Sequence, residues 1–271
     1  MLTGMTGFTQ LSSRFKDIQL NLEMRSLNHR FLDCLAHLPD GFAAVEDAIK
    51  AQVRNKINRG RLTITLSIAR AHPKVLVDYT LADNYVRNLK ALNQRLKLHD
   101  NLSLSQIVNL EGVLKIEKIS LTPEFTSAIK ALLNKGLEKL LTVRRHEGRM
   151  ITQDVLKRLT LIRNEVGKIN QAVKELGAQK KKNLSEDEYG AFLKSTDIAE
   201  ELTRISYHVK NFFAMIKKAG TSGKELDFIS QEIQREANTI SAKAQSGEIS
   251  SSVVKIKSAI EQIREQLQNV E

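Results

Sequence analysis

The chain has 271 residues, of which 41% are hydrophobic and 27% charged, as in a folded globular protein. Forty-two Lys and Arg against 31 Asp and Glu give a net charge of +11, which favours nucleic acid as a partner ahead of an anionic membrane surface. Cys34 is the only cysteine, which excludes an intramolecular disulfide, and no apolar run is long enough to span a membrane. We therefore expect a cytoplasmic protein.

The first third of the sequence carries short runs in which apolar and polar residues alternate, as they do along a half-buried strand. The clearest run has Ile18, Leu20 and Leu22 on one side and polar residues on the other. Alternation of this kind predicts strands over residues 5–15, 18–25, 31–37 and 61–69. Helical spacing predicts one helix, over 42–57. We expect an N-terminal α+β domain, residues 1–122, with a small and mainly antiparallel sheet.

Beyond residue 81 the sequence predicts helices almost without interruption. One helix is predicted over 83–98 and a short one over 104–110, and Pro123 stands where the first turn of a long helix would place it. The apolar pattern that follows lasts about forty residues and predicts either one helix of about 60 Å or two helices broken near Gly148. A helix of the greater length would bridge domains or pack against another subunit.

A run of small and polar residues at 177–185 predicts a break in the helical half. Its Lys180, Lys181 and Lys182 fit a solvated loop or, as a second interpretation, a phosphate contact. Three more helices are predicted, over residues 195–217, 224–244 and 250–270. We expect residues 123–182 to form long connecting helices and residues 183–271 to form an all-α C-terminal domain.

Two of these predicted helices carry acidic residues beside their apolar stripes. Glu232 and Glu236 lie one turn apart, which costs roughly 0.2–0.5 kcal/mol of repulsion, so a neighbouring cation such as Arg235, Lys243 or a divalent metal is expected. On the preceding helix, four polar residues share a narrow sector: Asp197, Glu201, Arg204 and His208. The two faces together offer carboxylates, cations and one imidazole.

Several other kinds of chemistry are excluded by their missing motifs. The glycines make neither the phosphate loop of a nucleotidase nor a dinucleotide-binding turn. Neither a serine nucleophile elbow nor a cysteine-based zinc pattern is present.

Ordered motifs throughout the chain resemble one known family. They include Met-Thr-Gly-Phe at 5–8, the run 23–33, Arg-Gly-Arg at 59–61, Glu-Gly at 147–148 with Asp154, 197–202 with Arg204 and His208, Leu-Asp-Phe at 226–228, 231–232, 235–239 and 260–266. By these residues the chain resembles the YicC/YloC family of bacterial proteins from end to end. It departs from the usual pattern at Gln234 and at Ser241-Ala242, which flank the acidic pair without replacing it.

The resemblance implies an endoribonuclease that requires a divalent metal and assembles as a homohexamer. It also implies an N-terminal α+β domain joined to a helical C-terminal domain. The RNA partner that it implies agrees with the positive net charge.

From the helical faces we infer an Mg²⁺ or Mn²⁺ site, because a hard cation prefers oxygen ligands and metal-assisted cleavage needs a group that moves protons. The predicted ligands are Glu201, Glu232, Glu236 and, as an additional candidate, His208. Catalysis is assigned to His208, Glu232 and Glu236, with Asp197 and Asp227 in support. The alternative is an interhelical salt-bridge network in which Arg204, Arg235 and Lys243 pair with the same carboxylates.

Basic residues at both ends of the chain are the candidates for binding RNA. Arg forks suit phosphate oxygens, and few aromatic residues are available for base stacking, so recognition of backbone and shape is expected. The candidates are Arg25, His29, Arg30, Arg59, Arg61, Arg204, Arg235 and Lys243.

These observations predict a metal-dependent endoribonuclease that acts as a homo-oligomer. The competing hypothesis is a non-catalytic RNA-binding protein that presents RNA to another nuclease. A structural helical scaffold is a third interpretation, but it does not explain the basic N-terminal residues.

Overall fold

The computed structural model describes seven stretches of the chain: residues 2–70, 74–97, 102–117, 119–195, 198–218, 222–244 and 246–271. It has an N-terminal part built on a small mixed sheet, followed by long helices and a helical C-terminal part. The α+β fold class that the sequence predicts is therefore confirmed.

The N-terminal sheet has four strands: β1 (Gly7–Phe15), β2 (Ile18–Leu27), β3 (Leu32–His37) and β4 (Gly60–Arg70). Their order across the sheet is β1-β2-β4-β3. The β1–β2 and β2–β4 pairs are antiparallel, whereas β3 and β4 are parallel. Because parallel neighbours need a crossover, the helix α1 (Glu46–Arg54) connects β3 to β4.

One face of this sheet is buried and the other is open. Leu20, Leu22 and Met24 on β2 point inward together with alternate residues of β4, as the period of two requires. They pack against α1 and against the first part of the long helix that follows, forming the N-terminal core. The open face carries polar residues of the same strands.

A small two-stranded ribbon and two helices follow the sheet. The ribbon pairs β5 (Val75–Val77) with β6 (Leu114–Ile116), and the helices are α2 (Tyr79–Leu96) and α3 (Leu104–Val108). The two helices agree with the sequence pattern, but the strands of the ribbon were not predicted, since three residues are too few to show an alternation. All six residues of the ribbon are exposed.

The helix α4 (Pro123–Asn183) runs for 61 residues, or about 91 Å, without a break. Thr122 caps its start, and Pro123 occupies the first turn as predicted. Of the two expectations for this region, the single helix is the correct one, and it continues through Gly148. The predicted break at 177–185 is wrong for most of its length, because α4 includes Lys180, Lys181 and Lys182.

The described residues of the C-terminal part form four helices: α5 (Glu186–Ser195), α6 (Ala199–Met215), α7 (Gly223–Lys243) and α8 (Gly247–Leu267). The last three correspond to the predicted helices, whereas α5 was not predicted. Their apolar stripes pack against the second half of α4 and form a separate C-terminal core. The long helix therefore contributes to both cores.

Residues 2–6 tie the two parts together. Gly4 forms a β-bridge with Val270, and the Met5 amide donates to the Asn269 carbonyl over 3.0 Å. The side chain of Leu2 belongs to the C-terminal core. None of the helices within the described residues combines the length and the apolar character needed to cross a membrane.

Candidate functional site

The candidate site lies where α6 packs against α7. Each helix buries an apolar stripe, of which Ile205 and Val209 on α6 and Ile229 and Ile233 on α7 are examples. Burying these stripes fixes the rotation of both helices, so their polar faces meet beside the contact. The predicted acidic residues at this junction therefore come from both helices, Glu201 from α6 and Glu232 and Glu236 from α7.

Two buried carboxylates at this junction are each paired with a cation from the facing helix. Lys243 Nζ lies 2.9 Å from Glu201 Oε1, and Arg204 Nη1 lies 3.4 Å from Glu236 Oε1. Glu201 is 8% exposed and Glu236 is 5% exposed. Charges so poorly solvated need a partner, and these reciprocal pairs supply it.

Arg204 also pairs with Glu200 on its own helix. The Glu200 carboxylate, followed by Glu236, raises the pKa of Arg204 above its usual value. The guanidinium therefore stays charged, and its exposed part remains available to solvent.

Other predicted residues surround these pairs without joining them. Glu232 and His208 are half-buried, and Arg235 is exposed. Within the described part of the chain, neither Glu232 nor Arg235 forms an ion pair. The ring of His208 lies edge-on to Tyr207, with 5.6 Å between the centroids.

Of the two supporting aspartates, the structure describes Asp227, which contacts α8 rather than α6. Asp227 Oδ1 accepts from Arg264 Nε on α8 over 3.0 Å, and its other oxygen accepts from Gln231. Asp227 also lines a small cavity of about 130 Å³ beside Arg59 and Lys224. Asp197 lies outside the described residues.

The structure does not bring the described predicted ligands together as a cluster. Among the described residues, no three or more His, Cys, Asp or Glu converge where they could hold a metal ion together. Glu201 and Glu236 instead direct oxygens at Lys243 and Arg204. The local geometry corresponds to the salt-bridge alternative that the sequence left open.

The N-terminal basic residues cluster around the turn between β2 and β3 and the start of β4. Arg59 Nε donates to the His29 carbonyl over 3.2 Å, and His29 Nδ1 lies 3.0 Å from the Phe31 carbonyl. The guanidinium of Arg30 stacks over the Phe31 ring at 5.2 Å. These contacts make the turn an ordered basic edge.

Two arginines on the strands differ in their surroundings. Arg61 Nε donates to Asp33 Oδ2 over 2.8 Å, so part of its charge is neutralised, whereas Arg25 projects from the open face of β2. The small cavity described above brings Arg59 next to Lys224 and Arg264 from the C-terminal helices. Sequence patterns did not predict that Arg59 lies near these C-terminal residues, because their proximity depends on how the two cores are joined.

A buried arginine at the junction of the cores was also missed. Arg144 is 0% exposed, and its Nη2 lies 2.6 Å from Glu271 Oε2 while its Nε donates to the Gly4 carbonyl over 2.7 Å. Nearby, the Thr6 amide donates to Glu147 Oε2 over 3.0 Å. The helical spacing around Arg144 could have placed it on the buried stripe, but the sequence did not show its partners.

The fold and the charged surfaces define a two-core α+β protein whose exposed basic groups suit a polyanion. Two family models match the chain: "Endoribonuclease YicC-like, N-terminal region" over residues 2–153 and "Endoribonuclease YicC-like, C-terminal" over residues 151–271. Together they span nearly all of the sequence, so the chain belongs to the YicC-like endoribonuclease family.

Two curated relatives are similar over their full length. A protein from Clostridioides difficile (strain 630), named "Probable endoribonuclease YicC", is 27% identical over 296 residues, with 100% of both chains covered. A protein of the same name from Haemophilus influenzae (strain ATCC 51907 / DSM 11121 / KW20 / Rd) is 29% identical over 293 residues, again with 100% of both chains covered. These matches agree with the family resemblance found in the motifs.

Proposed function

We propose that this protein is an endoribonuclease that cleaves RNA phosphodiester bonds at the α6–α7 junction. The observation that carries this proposal is the pair of cross-helix contacts, Glu201 with Lys243 and Glu236 with Arg204, beside the half-buried His208. Membership of the YicC-like family and the names of the two relatives support the same reaction class.

Each group at the junction has a role in this proposal. The cations Arg204 and Lys243 bind the phosphate and offset the negative charge that develops on it during cleavage. The buried Glu201 and Glu236 hold those cations in position. His208 transfers a proton, since an imidazole can both accept and donate one near neutral pH.

A requirement for Mn²⁺ or Mg²⁺ is the second part of the proposal and rests on the family resemblance. The carboxylates assigned to the metal are Glu201, Glu232 and Glu236. Of these, Glu232 makes no ion pair with any described residue. Glu232 is therefore the carboxylate whose negative charge we remove to test the metal requirement.

Assembly as a homo-oligomer, a homohexamer by the resemblance, is the third part. The ribbon of β5 and β6 supports it, because its six residues are exposed and five of them are Val, Leu or Ile. An exposed apolar ribbon of this kind is typical of surfaces that become covered by another chain.

A non-catalytic RNA-binding protein is the second candidate function. It is favoured by the salt bridges themselves, which occupy the two most buried carboxylates of the junction. In this case the basic surfaces bind RNA and present it to a separate nuclease.

The deciding experiment follows cleavage of a fluorescent structured RNA with Mn²⁺, with Mg²⁺ and with excess EDTA. Wild-type protein is compared with Glu232→Gln, with His208→Gln and with Glu248→Gln, an exposed control on α8. We expect metal-dependent cleavage that falls at least about 100-fold in the His208 variant and is lost in the Glu232 variant, with the control unchanged.

Other outcomes have distinct meanings. RNA that is bound by every protein but stays intact in every lane favours the RNA-binding candidate. Full cleavage by folded Glu232 and His208 variants would remove the reaction from the α6–α7 junction. Cleavage that persists in EDTA would contradict the metal requirement alone.

A further inference from the structure

A cleft between α4 and α6 lies apart from the surfaces discussed so far. Its volume is about 580 Å³, within the range of small-molecule sites. Charged, polar and apolar residues line it: Arg163, Val166, Ser206, Val209, Lys210, Phe213 and Lys217. The α6 residues recur at helical spacing, so a single face of that helix forms one wall.

The described residues that line the cleft carry positive charge and no carboxylate. Arg163, Lys210 and Lys217 all line it, and within the described part of the chain no Asp or Glu does. None of the three cations forms an ion pair with another described residue. Three neighbouring cations repel one another, and an anion bound among them would relieve the repulsion.

The apolar part of the cleft has the form of a stacking site. Val166 and Val209 are buried and form its floor, and the Phe213 ring stands beside them half-buried. The guanidinium of Arg163 lies over that ring, 5.7 Å from the centroid. A planar cation and an aromatic ring are the surfaces on which nucleobases stack.

A hydroxyl group completes the set of groups in the cleft. Ser206 Oγ donates to the Leu202 carbonyl over 2.7 Å, which leaves its lone pairs able to accept from a ligand. We propose that the cleft binds one nucleotide, with its base against Phe213 and Arg163 and its phosphate on Lys210 and Lys217.

This nucleotide site is separate from the proposed cleavage site. Ser206 and Lys210 lie roughly opposite Arg204 and His208 around the axis of α6, given 100° per residue. A ligand in the cleft therefore contacts the other side of the same helix. The nucleotide is either free in solution or one unit of an RNA strand, and both have the same chemistry.

Calorimetric titration of the full chain tests the proposal without depending on cleavage. The probes are adenosine 5′-monophosphate, a 5′-phosphorylated 2′-O-methyl tetranucleotide and inorganic phosphate. We expect saturable binding of a nucleotide probe that weakens at least about tenfold when Lys210→Glu and Lys217→Glu are combined, because both phosphate contacts are lost. The matched control is Lys139→Glu, an exposed lysine on α4 outside the cleft, and it should change affinity less than about twofold.

A second variant separates base recognition from anion binding. Phe213→Leu keeps an apolar side chain and removes the ring, so it should weaken binding of the nucleotide and leave binding of inorganic phosphate unchanged. Thermal melting of each variant shows that it is folded. Saturation by the monophosphate indicates a free nucleotide as ligand, and saturation by the tetranucleotide alone indicates an RNA strand.

Three results would overturn the assignment. They are the absence of saturable binding by either nucleotide probe, equal affinity in the double lysine variant, and binding of phosphate as tight as that of the nucleotide with no effect of Phe213→Leu. Loss of RNA cleavage with intact nucleotide binding would count against the cleavage proposal and leave the cleft assignment standing.

Discussion

Single residues at the junction of the two cores make contacts over long distances in sequence. Arg144 has its charged group wholly buried, and it joins Glu271, Gly4 and the Arg59 carbonyl from three separate parts of the chain. A buried cation with this many partners holds those parts in one arrangement. Removing it leaves buried acceptors without a donor.

We expect Arg144→Met to lower the free energy of unfolding by about 3–5 kcal/mol, since it leaves the partly buried Glu271 and the Gly4 and Arg59 carbonyls without their donor. Urea denaturation measures the change. Arg145→Met serves as the control, because Arg145 is exposed one position further along α4, and its effect should stay within about 0.5 kcal/mol. Equal losses in the two variants would show that Arg144 makes no special contribution.

The sequence predicted which charged residues lie at the α6–α7 junction, but it did not predict which of them form ion pairs with each other. Helical periodicity indicated that Glu201 and Arg204 share one face and that Glu236 and Lys243 share another. It could not indicate which carboxylate meets which cation, because that depends on the crossing of two helices. The metal ligands and the catalytic roles stay predictions.

Among the secondary-structure elements, α4 shows why a glycine can sit inside a long helix. A Cβ atom on Gly148 would lie 2.0 Å from the Leu2 carbonyl oxygen and 2.8 Å from Thr3 Cα. The glycine lets the backbone of residues 2–3 approach the helix closely. One of the two sequence interpretations placed a break near Gly148, because glycine is a poor helix former, and the tertiary contact explains why a glycine stands inside the helix instead.

A pair of alanine substitutions tests this account of α4. We expect Gly167→Ala, which meets nothing within 4 Å, to raise the free energy of unfolding by roughly 0.5–1 kcal/mol. Gly148→Ala should lower it, because the backbone of residues 2–3 must move away. Chemical denaturation of both variants gives the signs directly, and a stabilising Gly148→Ala would refute the close-approach explanation.

The strands differed in how well the sequence predicted them. The strands β2 and β4 are ten and eleven residues long and alternate clearly, so their existence was predicted. The parallel pairing of β3 with β4 was not, since register and direction depend on the crossover through α1. The ribbon of β5 and β6 was missed because each strand has only three residues.

At the scale of the whole molecule, the ribbon of β5 and β6 is an exposed apolar surface. This surface is relevant to the proposed assembly of the protein as a homo-oligomer. Val75 and Ile116 face each other across β5 and β6, and both are more than half exposed, at 61% and 68%. Leaving such side chains in water costs free energy that burial against another subunit would recover.

We expect the wild-type protein to have an oligomeric mass in light scattering and the combined Val75→Glu and Ile116→Glu variant to have a smaller one. Charges placed in an apolar interface lose hydration without gaining partners. The control is Val254→Glu, at an exposed valine of α8, which should keep the wild-type mass. A monomeric wild-type protein would contradict the oligomer proposal, and an unchanged double variant would move the interface away from the ribbon.

The bridge between Gly4 and Val270 also has a consequence for synthesis on the ribosome. Residues 2–5 leave the ribosome before their partners, because Leu2 belongs to the C-terminal core and Met5 hydrogen-bonds to Asn269. At about 5–20 residues per second, roughly 13–50 s pass before residues near 270 are added. During nascent-chain growth the four-stranded sheet can assemble with the first half of α4 before the C-terminal partners of residues 2–5 have been translated.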